Sequence, residues 1–365
     1  MMNTIIKWPG GKSREIDMIR DLIPDEYDRY IEPFFGGGAL YFHLNPRKAA
    51  INDLSAPLMD FYQLVKEQSF ELKSMLYGYA ESMSNLLAVC DEQGKGIRAA
   101  FDRRDPDSVT ALLDGLLPQI HNGMAAGLIL NDAEFEAHMR KMVADKFERT
   151  HVNHHKRPFS DEDLLENLIT GFTSGLYMYF RKVYNDIALG RIDDPGAAYA
   201  AANFYFIREY CYGSMFRYNV KGEFNIPYGG MSYNRKDMKA KLDRLFDEEL
   251  AQLLGRTEIG CCDFEDFIQQ MDLTEEDFMF LDPPYDTEFS DYEGKAFTKL
   301  DQARLAIVLK RTKAKFILII KNTDFIQGLY GEDFTILTFD KQYTYNVRSR
   351  NQRGAEHLII TNLPV

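Results

Sequence analysis

Hydrophobic positions near the amino terminus alternate between patterns typical of buried strands and of helices. An apolar run at residues 30–35 predicts a first strand, which ends in a run of glycines and is followed by a short helical pattern. A second strand is predicted at 49–51, and a helical run extends from 57 to about 83. This strand–helix–strand–helix order is typical of a parallel sheet covered by helices.

The middle of the chain, roughly residues 84–200, shows mostly helical periodicity and no internal repeat. Its breaks fall at Asp105-Pro106, at Arg157-Pro158 and at Asp194-Pro195-Gly196. Proline cannot continue a helix without losing a backbone hydrogen bond, so each break predicts a helix boundary. This block predicts a helical insertion that divides one α/β domain into two segments.

Strand patterns resume near residue 257 and continue to the carboxyl terminus. Strands are predicted at 258–263, 278–281 and 316–320, with an amphipathic helix at 299–313 between the last two. Two further strand patterns, at 335–339 and 357–361, predict a hairpin-like end to the sheet. We therefore predict an α/β protein in which a Rossmann-like sheet is split by a mostly helical insertion.

Three segments rich in glycine or polar residues come directly after predicted strands. They are the glycines at 36–38, the pair Asn52-Asp53, and the tetrapeptide at 282–285, Asp-Pro-Pro-Tyr. Right-handed crossovers place the carboxyl ends of parallel strands at one edge of the sheet, where ligands bind. We therefore expect all three segments to meet at that edge.

The composition is that of an ordinary globular protein, with 45% hydrophobic and 27% charged residues. No run of about 18 apolar residues predicts a membrane span, and the amino terminus lacks the apolar stretch of a secretory signal. The four cysteines follow neither a disulfide framework nor the spacing of zinc ligands. We therefore expect a cytoplasmic protein that has no membrane contact and needs no metal.

The net charge of -13 disfavours general attraction to nucleic-acid phosphates. Basic residues nevertheless gather in two stretches: residues 138–158 contain six lysines and arginines against two acids, and residues 341–353 contain four and no acid. What matters for nucleic-acid binding is whether such residues share one face. Each stretch predicts either a phosphate-binding surface or an ordinary solvated face.

The tetrapeptide at 282–285 combines groups that suit a planar amine such as that of adenine. Neither proline has an amide hydrogen, and the first one biases Asp282 away from helix, so we expect the carbonyls of this rigid segment to be available to a ligand. The carboxylate, a carbonyl and the ring of Tyr285 offer two acceptors for amino hydrogens and a surface for stacking. The alternative is a simple strand-ending turn.

Single positions exclude two common nucleotide-binding patterns. A dinucleotide fingerprint that starts at Gly36 needs a third glycine at position 41, which is Tyr41. A phosphate-binding loop that ends at Gly11-Lys12 needs its first glycine at position 6, which is Ile6. Asp53 remains a candidate for binding ribose hydroxyls, as an acid after the second strand does in other nucleoside-binding folds.

Taken together, four motifs resemble the Dam-like family of adenine-specific DNA methyltransferases. They are Lys-Trp-x-Gly-Gly-Lys at 7–12, Glu-Pro-Phe-x-Gly-x-Gly at 32–38, Asn-Asp at 52–53 and Asp-Pro-Pro-Tyr at 282–285. They occur in the family's order, with cofactor motifs first, target recognition next and the catalytic tetrapeptide last. Residues 216–229 are also similar to the family's Arg-Tyr-Asn-x-x-Gly-x-Phe-Asn-x-Pro segment. The helical block at 84–200 is longer than in compact members.

The resemblance implies a site-specific enzyme that transfers a methyl group from S-adenosylmethionine to the N6 nitrogen of an adenine flipped out of double-stranded DNA. Residues 1–83 and 255–365 would form the catalytic domain, and residues 84–254 the helical insertion and target-recognition domain. The implied catalytic residues are Asp282, Pro283, Pro284 and Tyr285. The implied cofactor-binding residues are Trp8, Lys12, Phe34, Gly36, Gly38, Asp53, Asp263, Phe264 and Asp282. The implied DNA-binding residues are Tyr212, Arg217, Asn219, Lys221, Asn225, Arg348, Arg350 and Arg353.

Other readings stay open at this point. A planar amine is also offered by adenine in RNA, by cytosine N4 and by glutamine, although enzymes for the last two tend to carry Ser or Asn where this chain has Asp282. Trp8 is either a pocket residue or a core anchor, and the whole chain is either an enzyme or an inactive DNA-binding relative. The sequence does not define the recognition site, the oligomeric state or a cognate restriction or defence partner.

Overall fold

The computed structural model describes residues 2–9, 16–284, 291–292, 295–342 and 354–364. The chain divides into two compact units. The sheet unit comprises Met1–Thr4, Trp8–Gln63 and Glu248–Val365, and the helical unit comprises Ile5–Lys7 and Leu64–Asp247. The functional domain boundaries expected at 83/84 and 254/255 stay a prediction.

A mixed α/β architecture is confirmed by one large sheet in the sheet unit. The described strands are β1 (Arg29–Glu32), β2 (Ala49–Asn52), β3 (Thr257–Gly260), β4 (Asp277–Leu281), β5 (Asp291–Tyr292), β6 (Lys295–Ala296), β7 (Lys315–Lys321), β8 (Thr335–Gln342) and β9 (Gly354–Thr361). Seven of them form a sheet in the order β3-β2-β1-β4-β7-β9-β8. The strands from β3 to β7 are parallel, and β9 and β8 are antiparallel to their neighbours. β5 and β6 form a separate antiparallel pair.

Helices account for most of the remaining chain. The described α-helices are α1 (Ile16–Ile19), α2 (Ala39–Leu44), α3 (Ala56–Lys66), α4 (Phe70–Glu92), α5 (Gly94–Arg103), α6 (Pro106–Asn122), α7 (Asp132–Lys156), α8 (Asp161–Ala188), α9 (Ala197–Tyr210), α10 (Lys239–Leu245), α11 (Glu248–Gly255), α12 (Phe264–Gln270), α13 (Lys299–Arg311) and α14 (Asp324–Tyr330). Short 3-10 turns lie at Arg20–Leu22, Tyr212–Ser214 and Met231–Tyr233. No helix within these ranges is long and apolar enough to cross a membrane.

Both faces of the central strands are buried, as expected for a parallel sheet covered by helices. All five residues of β4 and the five inner residues of β7 are buried. Ile31 of β1 packs in a cluster with residues of α12, α13 and α14, whereas the ring of its neighbour Tyr30 lies 6.3 Å from that of Tyr41 in α2. The predicted strands at 49–51, 278–281 and 316–320 are confirmed as β2, β4 and β7, whereas the strand predicted at 30–35 forms β1 but ends earlier, at Glu32.

The carboxyl-terminal hairpin is also confirmed, with Thr335 of β8 opposite Thr361 of β9. The strand predicted at 258–263 ends earlier, at Gly260, because the side chain of Asp263 accepts a hydrogen bond from the amide of Glu265 and begins α12. An aspartate in this N-cap position satisfies one of the unpaired amides of a helix's first turn.

The single helix predicted from 57 to about 83 is wrong, because the segment forms α3 and α4. Ser69 separates them, and its Oγ accepts a hydrogen bond from the amide of Leu72 at 3.1 Å. Gln68 has a φ of 53°, a left-handed conformation that helices exclude. A serine that caps the second helix therefore overrides the continuous helical periodicity.

The helical unit is built around the long helix α8, which packs between α7 and α9. Gly171 and Gly175 lie on the face of α8 that meets α7. A Cβ atom at Gly171 would lie 3.1 Å from Val143 Cα, and one at Gly175 would lie 3.0 Å from Met139 Cα. These glycines therefore permit close packing of the two helix backbones. The breaks predicted at Arg157-Pro158 and 194–196 fall between helices, and the break at Asp105-Pro106 falls at the start of α6, whose first residue is Pro106.

Candidate active site

The sheet changes direction of growth at β1. From β1 the chain adds β2 and then β3 on one side, whereas β4 and β7 extend the sheet on the other side. Ile31 is paired in register with Ala50 of β2 and with Met279 of β4. Loops that leave neighbouring strands in opposite directions open a crevice at the carboxyl ends, and ligands bind at such a switch point.

Asp53 joins the end of β2 to the glycine loop after β1. Its Oδ2 accepts a hydrogen bond from the amide of Gly36 at 2.8 Å, and its Oδ1 accepts one from the amide of Ser55 at 3.0 Å. Burial raises the pKa of the Asp53 carboxyl, although these backbone donors partly oppose the effect. A carboxylate has about four acceptor positions, so this one can still accept hydroxyl groups of a ligand.

The glycine loop requires glycine for conformation and for packing. Gly36 has a φ of 51° and Gly38 a φ of 62°, in the left-handed region that side chains disfavour. A Cβ atom at Gly36 would lie 2.7 Å from Cδ1 of Trp8, and one at Gly38 would lie 2.4 Å from Cζ of Phe35. The half-buried indole of Trp8 therefore lies against the loop. Lys12, predicted with Trp8 for the same pocket, lies outside the described residues.

Asn52 connects three strand ends through one amide group. Its Nδ2 donates to the carbonyls of Pro33 and Cys262 at 3.1 and 3.0 Å, and its Oδ1 accepts from the amide of Cys262 at 3.0 Å. A Cβ atom at Gly260 would lie 2.9 Å from that Oδ1. Sequence reasoning missed this role, because only the fold shows which distant carbonyls the amide reaches.

Three aromatic rings meet near the end of β3. The ring of Phe264 lies 5.3 Å from that of Phe34 and 5.7 Å from that of Phe297, and the last two rings are 5.6 Å apart. Asp263 precedes Phe264 at the start of α12. Phe34, Asp263 and Phe264, which the family resemblance assigns to one cofactor pocket, are therefore grouped in the structure.

Arg304 of α13 is a second residue that sequence reasoning missed. Its guanidinium donates to Asp263 Oδ1 at 2.6 Å and to Glu265 Oε2 at 2.8 Å, and it pairs with Asp301 on its own helix at 3.0 Å. It also lies 4.9 Å from the centre of the Phe264 ring. Hydrogen bonds, led by the one to Asp263, raise the pKa of Arg304 above its ordinary value. Arg304 therefore orients the carboxylate of Asp263.

The catalytic segment predicted from the sequence leaves the end of β4. Asp282 and Pro284 are half-buried, and Pro283 is buried. The expectation that all its carbonyls are available is wrong for one of them, because Nε2 of Gln302 donates to the carbonyl oxygen of Pro284 at 3.1 Å. Tyr285 lies outside the described residues.

The predicted DNA-contact segment forms a small hairpin in the helical unit. Tyr218 and Phe224 are bridged as antiparallel residues, and the amide of Asn219 donates to the carbonyl of Glu223 at 2.9 Å. Gly222 supplies a φ of 75° in the turn. The tip residue Val220 is fully exposed.

The candidate side chains of this hairpin differ in their surroundings. Arg217 and Lys221 are exposed, and Nε of Arg217 donates to Oδ1 of Asn225 at 2.8 Å. Asn219 instead holds the turn, since its Oδ1 accepts from the amides of Lys221 and Glu223 at 2.9 and 3.0 Å. The list of candidates is completed by Tyr212, which is exposed at the start of the segment, and by Arg348, Arg350 and Arg353, which lie outside the described residues.

The basic stretch at 138–158 lies mostly in α7. Arg140 pairs with Asp114 at 2.8 Å and with Glu136 at 3.7 Å. Burial lowers the pKa of Lys146. Of the six cations in this stretch, Arg140 therefore forms ion pairs and Lys146 is partly buried within the helical unit.

Comparisons with known proteins agree with these motifs. Residues 8–95 and 150–345 match the family described as D12 class N6 adenine-specific DNA methyltransferase. A type II methyltransferase, M.CviBI, of Paramecium bursaria Chlorella virus NC1A is 26% identical over 365 residues, which cover 99% of this chain and 100% of the relative. The type II methyltransferase M1.LlaDCHI of Lactococcus lactis subsp. cremoris is 24% identical, with 98% and 94% covered. A DNA adenine methylase of Haemophilus influenzae is 21% identical, with 94% and 89% covered.

Proposed function

The chain belongs to the D12 class of N6 adenine-specific DNA methyltransferases, and from that premise we propose how its residues carry out the reaction. The family match covers the two segments of the sheet unit that hold the glycine loop, Asp53 and Asp282. The observation that carries the proposal is the hydrogen bond between the amide of Gly36 and the carboxylate of Asp53. This bond joins the carboxyl ends of β1 and β2, and β1 is also the neighbour of β4, which leads into Asp282.

S-adenosylmethionine is the proposed methyl donor, and it would supply a methyl group activated by a sulfonium. The residues proposed to hold it follow the strand order: Asp263 and Phe264 after β3, Asp53 after β2 and the glycine loop after β1. Neighbouring strands lie about 4.8 Å apart, so an extended nucleoside can contact several strand ends in turn. Asp53 would accept the ribose hydroxyls through its remaining lone pairs.

Near the adenine ring of the donor, the aromatic cluster of Phe34, Phe264 and Phe297 offers an apolar surface. Asp263, oriented by Arg304, would accept a hydrogen bond from the exocyclic amine of the donor's adenine. The glycine loop after β1 would hold the sulfonium end, and β1 is the neighbour of β4, from which Asp282 leaves.

Asp282 and the carbonyl of Pro283 are proposed to accept the two amino hydrogens of the target adenine. These hydrogen bonds would favour a pyramidal, more electron-rich nitrogen, which can receive a methyl group directly. No covalent intermediate with the enzyme is required, so positioning and electrostatics supply the rate. The target base would first have to leave the duplex, at a cost of a few kcal/mol.

The hairpin that carries Arg217 and Lys221 is the proposed reader of the DNA sequence. Both side chains are exposed, and an arginine can form two hydrogen bonds with guanine in the major groove. Two relatives named type II methyltransferases also support a cognate restriction partner for this protein.

Methyl transfer to defined duplexes tests the proposal. Duplex DNA would be incubated with the protein and S-adenosylmethionine, and the methylated positions would then be located by sequencing. We expect N6-methyladenine within one short sequence context, and transfer to duplex DNA rather than to RNA of the same sequence. Methylation of RNA in place of DNA, or no transfer by the folded protein, would refute the proposal.

A further inference from the structure

Gln302 is a fully buried polar side chain beside the catalytic segment. It lies in the first turns of α13, and Nε2 donates to the Pro284 carbonyl at 3.1 Å. Its Oε1 has no hydrogen-bond partner among the residues that the structure describes. A buried acceptor without a donor costs free energy, so packing alone would favour an apolar side chain of similar size. The glutamine therefore calls for a reason other than core packing.

The hydrogen bond from Gln302 restrains the part of the segment that proline does not. The two proline rings fix φ at positions 283 and 284, and Pro284 also restricts ψ of Pro283 to the extended region, but ψ of Pro284 is not restricted in this way. A donor on the Pro284 carbonyl restricts rotation about that ψ. The helix that carries Gln302 is itself fixed at its start, because α13 begins with reciprocal capping hydrogen bonds between Thr298 and Asp301.

The same hydrogen bond occupies one backbone acceptor of the segment. The carbonyl of Pro284 is engaged by Gln302. Asp282 and the carbonyl of Pro283 are the acceptors that the proposed function assigns to the target amine. With the Pro284 carbonyl occupied, a carboxylate oxygen of Asp282 and the Pro283 carbonyl are the acceptors proposed for the amine.

We propose that Gln302 is a positioning residue for methyl transfer, which holds the Pro284 carbonyl and thereby fixes the direction in which Asp282 and the Pro283 carbonyl meet the adenine amine. This inference rests on the proposed function of Asp282. Because Gln302 is fully buried, it would act through the geometry of the segment and not through direct contact with S-adenosylmethionine or the DNA backbone. Its loss therefore lowers the rate of the chemical step and leaves binding unchanged.

The test compares Gln302→Met with Leu305→Met in single-turnover reactions at saturating donor and DNA. Gln302→Met keeps a similar volume and removes the donor group, and Leu305 is an equally buried residue of the same helix. Misplacement of reacting groups by about 1 Å costs up to about 100-fold in rate. We expect Gln302→Met to lower the methyl-transfer rate constant by about 10- to 100-fold, with dissociation constants for S-adenosylmethionine and duplex DNA unchanged. Leu305→Met should react at the wild-type rate.

A second variant and a parallel control make the outcome decisive. Gln302→Asn retains an amide on a side chain too short for the Pro284 carbonyl, so it should show the same loss of rate if Gln302→Met does not fold. A wild-type rate in either folded variant, or weaker binding in place of a slower chemical step, would overturn the inference. Asp282→Ala is measured in the same experiment. If Asp282→Ala is inactive and Gln302→Met reacts at the wild-type rate, only the role of Gln302 is refuted. If Asp282→Ala is active, the proposed function itself is refuted.

Discussion

The Oδ2 atom of Asp53 accepts a hydrogen bond from the backbone amide of Gly36 at 2.8 Å, which joins the loop after β1 to the end of β2. Two motifs that are well separated in the chain therefore act as one structural feature. The bond fixes the glycine loop with the same carboxylate that is proposed to bind the donor's ribose. Loss of the charge on Asp53 should affect both.

Donor affinity should therefore depend on pH through Asp53. Burial raises the pKa of this carboxyl, so it takes up a proton at a higher pH than an ordinary aspartate, whose pKa is about 3.9. The neutral acid is a weaker acceptor, so the affinity for S-adenosylmethionine should fall as the pH is lowered toward that raised pKa. Calorimetric titrations from near the ordinary pKa of about 3.9 up to neutral pH would measure the effect.

Asp53→Asn is the matched variant for that experiment. Loss of a hydrogen bond to a charged group costs about 1.5 kcal/mol or more, so we expect at least about a tenfold weaker affinity near neutral pH. The affinity of the variant should also lose the pH dependence attributed to Asp53. If wild type and variant give parallel pH profiles, the dependence arises elsewhere.

Replacing Gly36 by alanine should disturb the loop in two ways. A left-handed conformation costs a side chain about 1 to 2 kcal/mol, and the new Cβ would lie 2.7 Å from Cδ1 of Trp8. We expect Gly36→Ala to lower the melting temperature and to weaken donor binding. Gly328→Ala on α14 is the control, since a Cβ there meets no atom within 4 Å, and alanine should stabilise the helix by about 1 kcal/mol. If Gly36→Ala binds S-adenosylmethionine as tightly as the wild type, the glycine loop is not part of the cofactor site.

Arg304→Ala should raise the KM for the donor and leave kcat at saturating donor unchanged. The guanidinium holds Asp263 and lies over Phe264, which are both proposed to contact the donor's adenine. Because Arg304 is partly exposed, the lost ion pairing is expected to cost about 1 kcal/mol, or roughly a fivefold increase in KM. Arg304→Lys keeps the charge without the planar fork and should recover only part of the loss. A fall in kcat with an unchanged KM would contradict this role.

Arg217 and Lys221 of the hairpin are expected to contribute to DNA binding in different ways. Arg217→Ala should relax discrimination among DNA sequences, because loss of a base-reading arginine costs about 1 to 3 kcal/mol of specificity. Lys221→Ala should instead weaken binding to all duplexes and reduce the salt dependence by about one unit of slope. Methylation of a library of duplexes at two salt concentrations distinguishes these effects. The proposed recognition surface is misplaced if both variants match the wild type.

Continuous apolar runs allowed the buried strands to be predicted from sequence. β4 and β7 are buried on both faces, so their hydrophobic pattern has no interruption and their ends fall close to the predicted positions. The break between α3 and α4 was missed because the capping hydrogen bond of Ser69 outweighs a helical periodicity that continues through it. Local competition between a cap and a helix interior is difficult to judge from one sequence.

The parts of the candidate site that are contiguous motifs could be predicted from the sequence. Residues whose hydrogen-bond partners lie on distant segments of the chain could not. The glycine loop and Asp53 follow strands, so their shared edge could be inferred from topology. Asn52, Arg304 and Gln302 act through carbonyls and carboxylates on other segments. Only the folded chain shows those contacts, and the sequence accordingly suggested that the carbonyls after β4 were all available.

The central claim is that Asp282 receives the amine of the target adenine, and Asp282→Ala tests it most directly. The variant would be checked for a wild-type circular dichroism spectrum and donor affinity, and methyl incorporation into duplex DNA would then be measured in a single turnover. The account predicts a folded protein that still binds the donor and transfers no detectable methyl group. Methyl transfer by folded Asp282→Ala at the wild-type rate would contradict it.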